Sequence, residues 1–256
     1  MHYVILDIEF NGRKFASDLP MEVIEIGAVR LDEGLRQIDT FTALIRPVYF
    51  AKLNKFIRDK TGITQEEIDR AGRFPAVIDR FIRWLGPPDS FLLVTWGGED
   101  VKRIVLDTRM HRLDDAYWLS VRYYDLLKGF LRLHGLKNDV SVERALGMIG
   151  LAPGGKAHRA LGDAVMTAGI FRALRDRLDL GDVRHYRDTH SNAKERRMVR
   201  SAIRAMRLRG AKPDWDTIAE HFLKNKVDLA NEKKRDELKA YFEEEKNRER
   251  QPGPGT

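Results

Sequence analysis

The chain has 256 residues, 43% of them hydrophobic, with 46 Lys and Arg against 39 Asp and Glu. This length allows one full domain with an appendage or two small domains, and the net charge of +7 suits a polyanionic partner. The absence of Cys excludes disulfides, thiolate chemistry and cysteine-liganded zinc. Because no apolar run could span a membrane and residues 1–10 lack signal-peptide features, we expect a cytoplasmic protein without membrane contact.

Three strands are predicted in the first fifth of the chain. VILDIEF is an apolar run that contains two acidic residues, and the polar loop NGRKFASDLP follows it. MEVIEIGAVRLDEG alternates and contains β-branched residues, and TFTALIRP ends before Pro47, so each is typical of a strand. Residues 65–85 place apolar side chains at helical spacing and predict a helix, whereas FLLVTWGG predicts a short buried strand.

Helices dominate the middle of the chain. EDVKRIVLDTRMH predicts a helix, and SVRYYDLLKGFLRLHG predicts a strand followed by a helix. SVERALGMIGL predicts a helix with Ser141 as its N-cap, and ALGDAVMTAGIFRALRDRL predicts a longer one. Three early strands followed by strands that alternate with helices predict an α/β fold, with a mixed β-sheet flanked by helices.

The sequence changes character after about residue 180. SNAKERRMVRSAIRAMRLRG predicts an amphipathic helix that begins with a capping box of Asn192 and Glu195. DWDTIAEHFLKNK and NEKKRDELKAYFEEEKNRER predict further helices. We therefore divide the chain into a main domain of residues 1–180, a basic helical extension of residues 181–250 and a disordered tail of residues 251–256.

The positive charge is concentrated in the first helix of this extension. Residues 194–212 contain one acid and eight basic residues: Lys194, Arg196, Arg197, Arg200, Arg204, Arg207, Arg209 and Lys212. Arg-rich helices are often simply solvated, but this excess favours contact with nucleic acid, and Arg196, Arg197, Arg200 and Arg204 are the predicted contact residues. The alternatives are packing on the main domain and binding of a protein partner.

A pair of carboxylates lies in the first predicted strand. Asp7 and Glu9 are two residues apart, so they point to the same face of the strand, roughly 6.5 Å apart. Two like charges at this spacing repel each other, and a bound cation is a common remedy. Taken alone, the pair is more typical of a solvated strand end than of a site.

Other acids follow predicted elements further along the chain. Asp100 lies in the first turn of the helix after FLLVTW, and His158 precedes Asp163 by five residues in KAHRALGDAV. Five residues of continuous helix rotate a side chain by about 140° from the first, so the two converge only if His158 lies in the glycine-rich segment before the helix.

These acids form a set that suits two magnesium ions. Mg²⁺ takes oxygen ligands, and two metal ions stabilise the attacking and leaving oxygens of a phosphoryl displacement. A neutral His beside them can take the proton of the attacking water. GLAPGGKA has the spacing of a nucleotide-binding P-loop, but it follows a helix and lacks a hydroxyl after the Lys, so ATP or GTP binding is rejected.

Three motifs, in this order, resemble the DEDDh 3′→5′ exonuclease superfamily, the RNase T and DnaQ-like enzymes. VILDIEF with the sequel EVIEIGAV is similar to the first motif, LLVTWGGED to the second and HRALGDA to the third. The resemblance covers about residues 1–178. TGIT at residues 61–64, the Trp-Gly before Asp100 and SVERALGMIGL resemble the branch that trims histone-mRNA ends and small RNAs, with its bacterial sporulation-inhibitor-like relatives.

The resemblance implies a ribonuclease H-like fold and a metal-dependent 3′→5′ exonuclease that releases nucleoside 5′-monophosphates from single-stranded RNA or DNA, with RNA favoured. It implies two Mg²⁺ ions, with Mn²⁺ able to substitute, held by Asp7, Glu9, Asp100 and Asp163, and His158 as general base. Phe10 and Trp96 are candidates to stack on the terminal base, although Trp96 is equally typical of a core residue. The alternative is a non-catalytic nucleic-acid-binding protein that keeps the fold.

Overall fold

The computed structural model describes residues 1–12, 21–152 and 158–248. The chain divides into two compact units, Met1–Tyr186 and Arg187–Thr256, called here the first and the second unit. The predicted disordered tail, most of the predicted loop after the first strand and the lysine of the rejected P-loop lie outside the described residues.

The first unit is built on a sheet of seven strands in the order β4-β3-β2-β1-β5-β6-β7. The strands are β1 His2–Asn11, β2 Glu22–Leu31, β3 Gln37–Arg46, β4 Gly72–Arg73, β5 Phe91–Thr95, β6 Arg122–Asp125 and β7 Arg184–His185. β1, β2 and β3 pair antiparallel, whereas β5 pairs parallel with both β1 and β6. The predicted mixed sheet is confirmed, and β7 extends the first unit beyond residue 180.

Helices cover both faces of this sheet. They are α1 Lys55–Thr61, α2 Gln65–Arg70, α3 Phe74–Leu85, α4 Glu99–Met110, α5 Ala116–Ser120, α6 Leu126–Leu133, α7 Val142–Met148 and α8 Ala160–Leu174. β1 alternates between two cores, with Val4 and Leu6 facing α3 and α4, and Tyr3 and Ile5 facing α8. Asp7 and Glu9 continue the second series, so β1 directs them to the face that α8 covers.

The single helix predicted for residues 65–85 is wrong. α2 ends at Arg70, Ala71 is extended, and Gly72–Arg73 forms β4 by pairing parallel with the end of β3. The break has local causes, because Gly72 weakens a helix and Pro75 lies in the first turn of α3, where proline is tolerated. Apolar side chains on both helices preserve the helical spacing across the break and hide it from a pattern search.

The second unit consists of helices with their own core. They are α9 Ala193–Leu208, α10 Trp215–Ile218, a π-helical turn Ala219–Leu223 and α11 Glu232–Arg248. The predicted capping box of Asn192 and Glu195 is confirmed. α9 is amphipathic as predicted, because its residues Val199, Ile203 and Met206 are buried with residues of α10 and α11. In the described part of the chain, we find no helix with the length and apolar character needed to cross a membrane.

Candidate active site

Three carboxylates meet at the end of β1. Asp7 and Glu9 of β1 and Asp163 of α8 each place an oxygen so that the three atoms lie within 4.8 Å of one another. Glu9 and Asp163 are buried and Asp7 is half-buried. We call these three residues the carboxylate cluster.

Gly27 explains how a helix residue reaches β1. It lies opposite Asp7 in the antiparallel pairing of β1 with β2. A Cβ atom at Gly27 would lie 2.1 Å from the Leu161 nitrogen, so the backbone of α8 crosses β2 at a point where only glycine fits. The first turn of α8 is therefore held against the strand pair, and Asp163 lies beside Asp7.

An ion pair between the half-buried Arg159 and the buried Glu25 holds the start of α8 in the same place. The Glu25 carboxylate accepts hydrogen bonds from the Arg159 guanidinium, at 2.7 and 3.1 Å, and from the Ala160 N–H at 3.0 Å. Glu25 is opposite Glu9 in the β1–β2 pairing. Glu25 thus has a structural role, and its partner Arg159 was not identified from the sequence.

His158 lies immediately before α8. Its φ of 63° lies in the left-handed region, so the backbone turns sharply at this residue. The His158 N–H donates a long hydrogen bond of 3.4 Å to the Asp163 carboxylate. Both side chains line one cleft, the arrangement that the five-residue spacing required.

Asp100 approaches the cluster from another element. It lies in the first turn of α4, where its own N–H and the Ile8 N–H of β1 act to lower the pKa of its carboxyl group against the larger effect of burial. Glu99, an acid that the family motif does not require, pairs with Arg103 at 2.5 Å and with Lys102. Its charge is therefore balanced within α4.

The electrostatics of the site disfavour four bare negative charges. Burial raises the pKa of Asp7 well above its usual value, and Asp100, Asp163 and Glu9 raise it further. Burial also raises the pKa values of Glu9 and Asp100 to about 7, and it raises that of Asp163. Carboxyl groups with pKa values this high are only partly charged near neutral pH, and a bound cation would favour their charged form.

The donor set therefore fits a divalent metal. Four carboxylates supply oxygen ligands and the chain has no Cys, so hard cations such as Mg²⁺ or Mn²⁺ suit the site better than soft ones. The oxygens of the cluster are close enough together to share an ion.

The cleft over these acids has a volume of about 440 Å³. Besides the acids and His158, its lining includes Phe10, Phe56, Lys60 and Trp96. Two contacts fix the position of Trp96. Its Nε1–H donates to the Val140 carbonyl at 2.9 Å, and its ring packs on Phe130. Phe10 is half-buried, and the Arg103 guanidinium lies 5.2 Å from its ring centre.

Phe56 is an aromatic residue of this cleft that the sequence reasoning missed. It is 69% exposed and lies in α1, a short helix in the polar stretch NKFIRDK. A lone aromatic in such a stretch was the available signal. Glu22 fixes the chain before α1, because its carboxylate accepts hydrogen bonds from three consecutive N–H groups, those of Val48, Tyr49 and Phe50.

The predicted nucleic-acid contacts of the second unit separate into two kinds. Arg196 lies 3.5 Å from Glu237, and Arg200 donates to the Tyr241 hydroxyl at 2.6 Å. Arg197 and Arg204 are exposed and form no hydrogen bond or ion pair with the residues that the structure describes. The basic helix therefore offers fewer uncommitted charges than its sequence suggests.

Comparison with known proteins identifies the first unit. The RNase T exonuclease family matches residues 4–171, which include all five predicted active-site residues. The chain belongs to this exonuclease family. The resemblance to DEDDh exonucleases is thereby confirmed, and the fold that it implied is confirmed as well.

Relatives and solved structures of the RNase T family agree. The probable 3′-5′ exonuclease KapD of Bacillus subtilis is 27% identical over 175 residues, 67% of this chain and 83% of KapD. The 3′-5′ exoribonuclease 1 of Mus musculus is 29% identical over 168 residues, 62% of this chain and 48% of that protein. The nuclease domain of 3′hExo, a DEDDh family member solved with rAMP, has a TM-score of 0.64 at 23% identity and covers 73% of this chain and 97% of that chain.

These matches make this RNase T family member a 3′→5′ exonuclease, a nucleic-acid-binding hydrolase from a family that depends on divalent metal ions. The chain spans about half the length of the mouse relative. The family match ends at residue 171, so it does not include the second unit.

Proposed function

We propose that the protein removes nucleotides from the 3′ end of single-stranded RNA with two divalent metal ions and releases nucleoside 5′-monophosphates. The observation that carries the proposal is the carboxylate cluster of Asp7, Glu9 and Asp163, with Asp100 and His158 lining the same cleft. Phosphodiester hydrolysis needs metal ligands and a proton acceptor at one place, and these five residues supply both.

The four carboxylates have the proposed role of metal ligands. Asp7, Glu9 and Asp163, whose oxygens lie within 4.8 Å of one another, would hold the ions together with Asp100 of the same cleft. When bound, Mg²⁺, or Mn²⁺ in its place, activates water and stabilises the charge that develops on the phosphate oxygens. The raised pKa values of these carboxyl groups support the assignment. Burial and mutual repulsion disfavour their negative charges, and a bound metal ion would offset that cost.

His158 has the proposed role of general base. It takes the proton of the attacking water while the bond to the leaving 3′ oxygen breaks. Its backbone bond to Asp163 supports this role, because that bond keeps the residue at the edge of the cluster.

Aromatic side chains of the cleft have the proposed role of holding the terminal base. Phe56 has the most exposed ring of the three candidates, and Phe10 and Trp96 supply supported surfaces beside it. Stacking on aromatic rings tolerates any base, as an exonuclease requires.

RNA is the proposed substrate because one relative is named an exoribonuclease. KapD, which has similar identity, is named only an exonuclease. Digestion of matched RNA and DNA single strands under the same conditions tests the preference. Equal rates on RNA and DNA would contradict the proposed preference for RNA.

The decisive experiment uses a 5′-labelled RNA oligonucleotide and Mg²⁺. We expect a ladder that shortens from the 3′ end, and we expect Asp7→Ala, Asp163→Ala and His158→Ala to suppress it. Asp79→Asn, an exposed acid paired with Arg83 on α3, is the matched control and should retain activity. Tight, salt-sensitive binding without metal-dependent turnover would support the non-catalytic alternative instead.

The exposed face of α9 has the proposed role of a phosphate-binding surface. Arg197, Arg200 and Arg204 are three, four and seven residues apart, so they lie on one side of the helix. We expect Arg197→Gln with Arg204→Gln to weaken binding of long RNA and reduce its salt dependence, and Arg196→Gln to do less because Arg196 already pairs with Glu237. Unchanged binding would favour a protein partner.

A cytoplasmic location, favoured by the Cys-free composition, is part of the proposal.

A further inference from the structure

Lys60 is a cation in a cleft built from acids. It lies near the end of α1, its side chain is exposed, and it lines the cleft together with Asp7, Glu9 and Asp163. No part of the metal chemistry proposed above requires a lysine at this position, and the sequence motifs did not point to it.

Lys60 faces the same cleft as all three residues of the carboxylate cluster. The Lys60 ammonium nevertheless forms no hydrogen bond or ion pair with any residue that the structure describes. Lys60 therefore shares the cleft with these acids without pairing with them, and its three N–H donors are left for another group.

Two roles for such a lysine differ in whether a phosphate needs it. If it served only to offset the repulsion among the acids, it would be redundant with bound metal and would weaken metal binding by like-charge repulsion. If it instead bound an anionic group of the substrate, its position beside the metal ligands would place its charge next to the reacting phosphate. The ammonium group of lysine binds phosphate oxygens as a point charge.

We infer that Lys60 binds the phosphate at the cleavage point, and that after hydrolysis it holds the 5′-phosphate of the departing nucleotide. The inference rests on the proposed function, because it assigns a contact to the substrate of the same cleft. It names a substrate-binding residue that acts through its charge and is not a metal ligand.

The position of Lys60 relative to Phe56 supports this assignment. The two residues are four positions apart on α1, so their side chains are neighbours on one helix face, with Cβ atoms about 5–6 Å apart. A short helix therefore presents an aromatic surface and a cation side by side. A terminal nucleotide offers a matching pair, a base for the ring and a phosphate for the ammonium group.

The first test measures metal binding without nucleic acid. Lys60→Met keeps the apolar stem and removes the charge, and Lys55→Met is the control because Lys55 lies on the same helix and pairs with Asp59. In calorimetric titration with Mn²⁺, we expect Lys60→Met to bind about two- to fivefold more tightly than the wild type, and Lys55→Met to be unchanged. Weaker Mn²⁺ binding in Lys60→Met would overturn the inference, since it would show that Lys60 supports the metal site.

The second test compares AMP with adenosine, each titrated into protein saturated with Mn²⁺. We expect Lys60→Met to weaken AMP binding about tenfold or more, to leave adenosine binding unchanged, and to be rescued in large part by Lys60→Arg. Equal AMP affinities of Lys60→Met and wild type, or an equal loss for adenosine, would overturn the inference. If adenosine binds too weakly to measure, the AMP result and its rescue by Lys60→Arg decide.

Failure of this inference can be distinguished from failure of the proposed function. Wild-type protein that does not shorten RNA from the 3′ end contradicts the proposed function. Wild-type protein that does so, with a Lys60→Met variant whose AMP affinity matches that of Lys55→Met, contradicts only the role of Lys60.

Discussion

Glu9 in the first unit and Glu195 in the second are buried to nearly the same extent, with 6% and 7% of their surface exposed. Glu195 accepts hydrogen bonds from Lys234 at 2.9 Å and from the Asn192 N–H at 2.7 Å. Although burial acts to raise its pKa, these partners lower it. Glu9 lies among other acids, and its pKa is raised to about 7. The charge of Glu195 is therefore stabilised by partners in its own chain. The charge of Glu9 is disfavoured, and a bound cation would stabilise it.

The largest expected effect comes from removing one negative charge from the carboxylate cluster. Asp7→Asn keeps the shape of the side chain, and we expect it to lower the exonuclease rate by about 10²–10³-fold or more, because a group at the reacting centre is lost. The same variant should melt at a higher temperature than the wild type in the absence of metal, since a neutral amide at this position adds no charge to the cluster. A digestion assay measures the exonuclease rate, and thermal melting in EDTA measures the stability of the metal-free protein. Wild-type activity in Asp7→Asn would show that Asp7 is not a ligand.

Gly27→Ala tests the geometry that assembles the cluster. The added Cβ would meet the Ala160 carbonyl carbon at 2.2 Å, so α8 must move away from β2. We expect a loss of about 1–3 kcal/mol in the free energy of unfolding and a marked loss of activity, measured by urea denaturation and by RNA digestion. Gly147→Ala, in α7 with no atom within 4 Å of the added Cβ, is the control and should be neutral or slightly stabilising. Similar behaviour of the two variants would contradict the close crossing.

Glu195→Gln reverses the outcome expected for Asp7→Asn. Lys234 loses its charged partner, so we expect the free energy of unfolding to fall by about 1 kcal/mol, while cleavage of short oligonucleotides stays unchanged. Urea denaturation and a digestion assay on a short RNA decide. A more stable Glu195→Gln variant would mean that the pair does not offset the cost of burying the charge.

The smallest expected effect is on pH dependence, and its sign differs between the two glutamates. In the folded metal-free protein, Glu9 and Asp100 hold protons up to about pH 7, whereas their usual pKa values are 4.5 and 3.8. The folded state therefore binds more protons between roughly pH 4 and 7, so these groups lower stability as the pH rises through that window. Glu195, whose pKa is lowered, adds stability above its usual pKa and loses it as the pH falls through its folded-state value.

Metal binding sharpens this prediction. Because the carboxyl groups must lose their protons to bind a cation, we expect Mn²⁺ to raise the melting temperature more at pH 8 than at pH 6. Differential scanning calorimetry at the two pH values, with and without Mn²⁺, measures the difference. An equal rise at both would contradict the raised pKa values.

The sequence predicted the elements whose patterns are local. The alternation of β1, the capping box of Asn192 and Glu195, and the place of Asp100 in the first turn of α4 all depend on residues close together in the chain. The break at Gly72 was missed because β4 exists only through its pairing with β3, which is a contact between distant residues.

The residues of the candidate active site were proposed from the order of their motifs, whereas the geometry that brings them together was not predictable from the sequence. No local pattern shows that Gly27 lies opposite Asp7, or that Glu25 and Arg159 anchor α8. Phe56 and Lys60 were missed because α1 is a short helix in a polar stretch, and only the folded chain brings it to the cleft. The paired and uncommitted arginines of α9 also look alike in sequence, because their partners lie on α11.

The crossing of α8 over Gly27 has a consequence for how the enzyme is made. The cluster joins Asp7, near the amino terminus, to Asp163, and the two meet only when α8 rests on β2. A nascent chain still on the ribosome displays Asp7 and Glu9 long before it can complete the cluster. A truncated chain that ends before α8 lacks Asp163, so it cannot complete the carboxylate cluster.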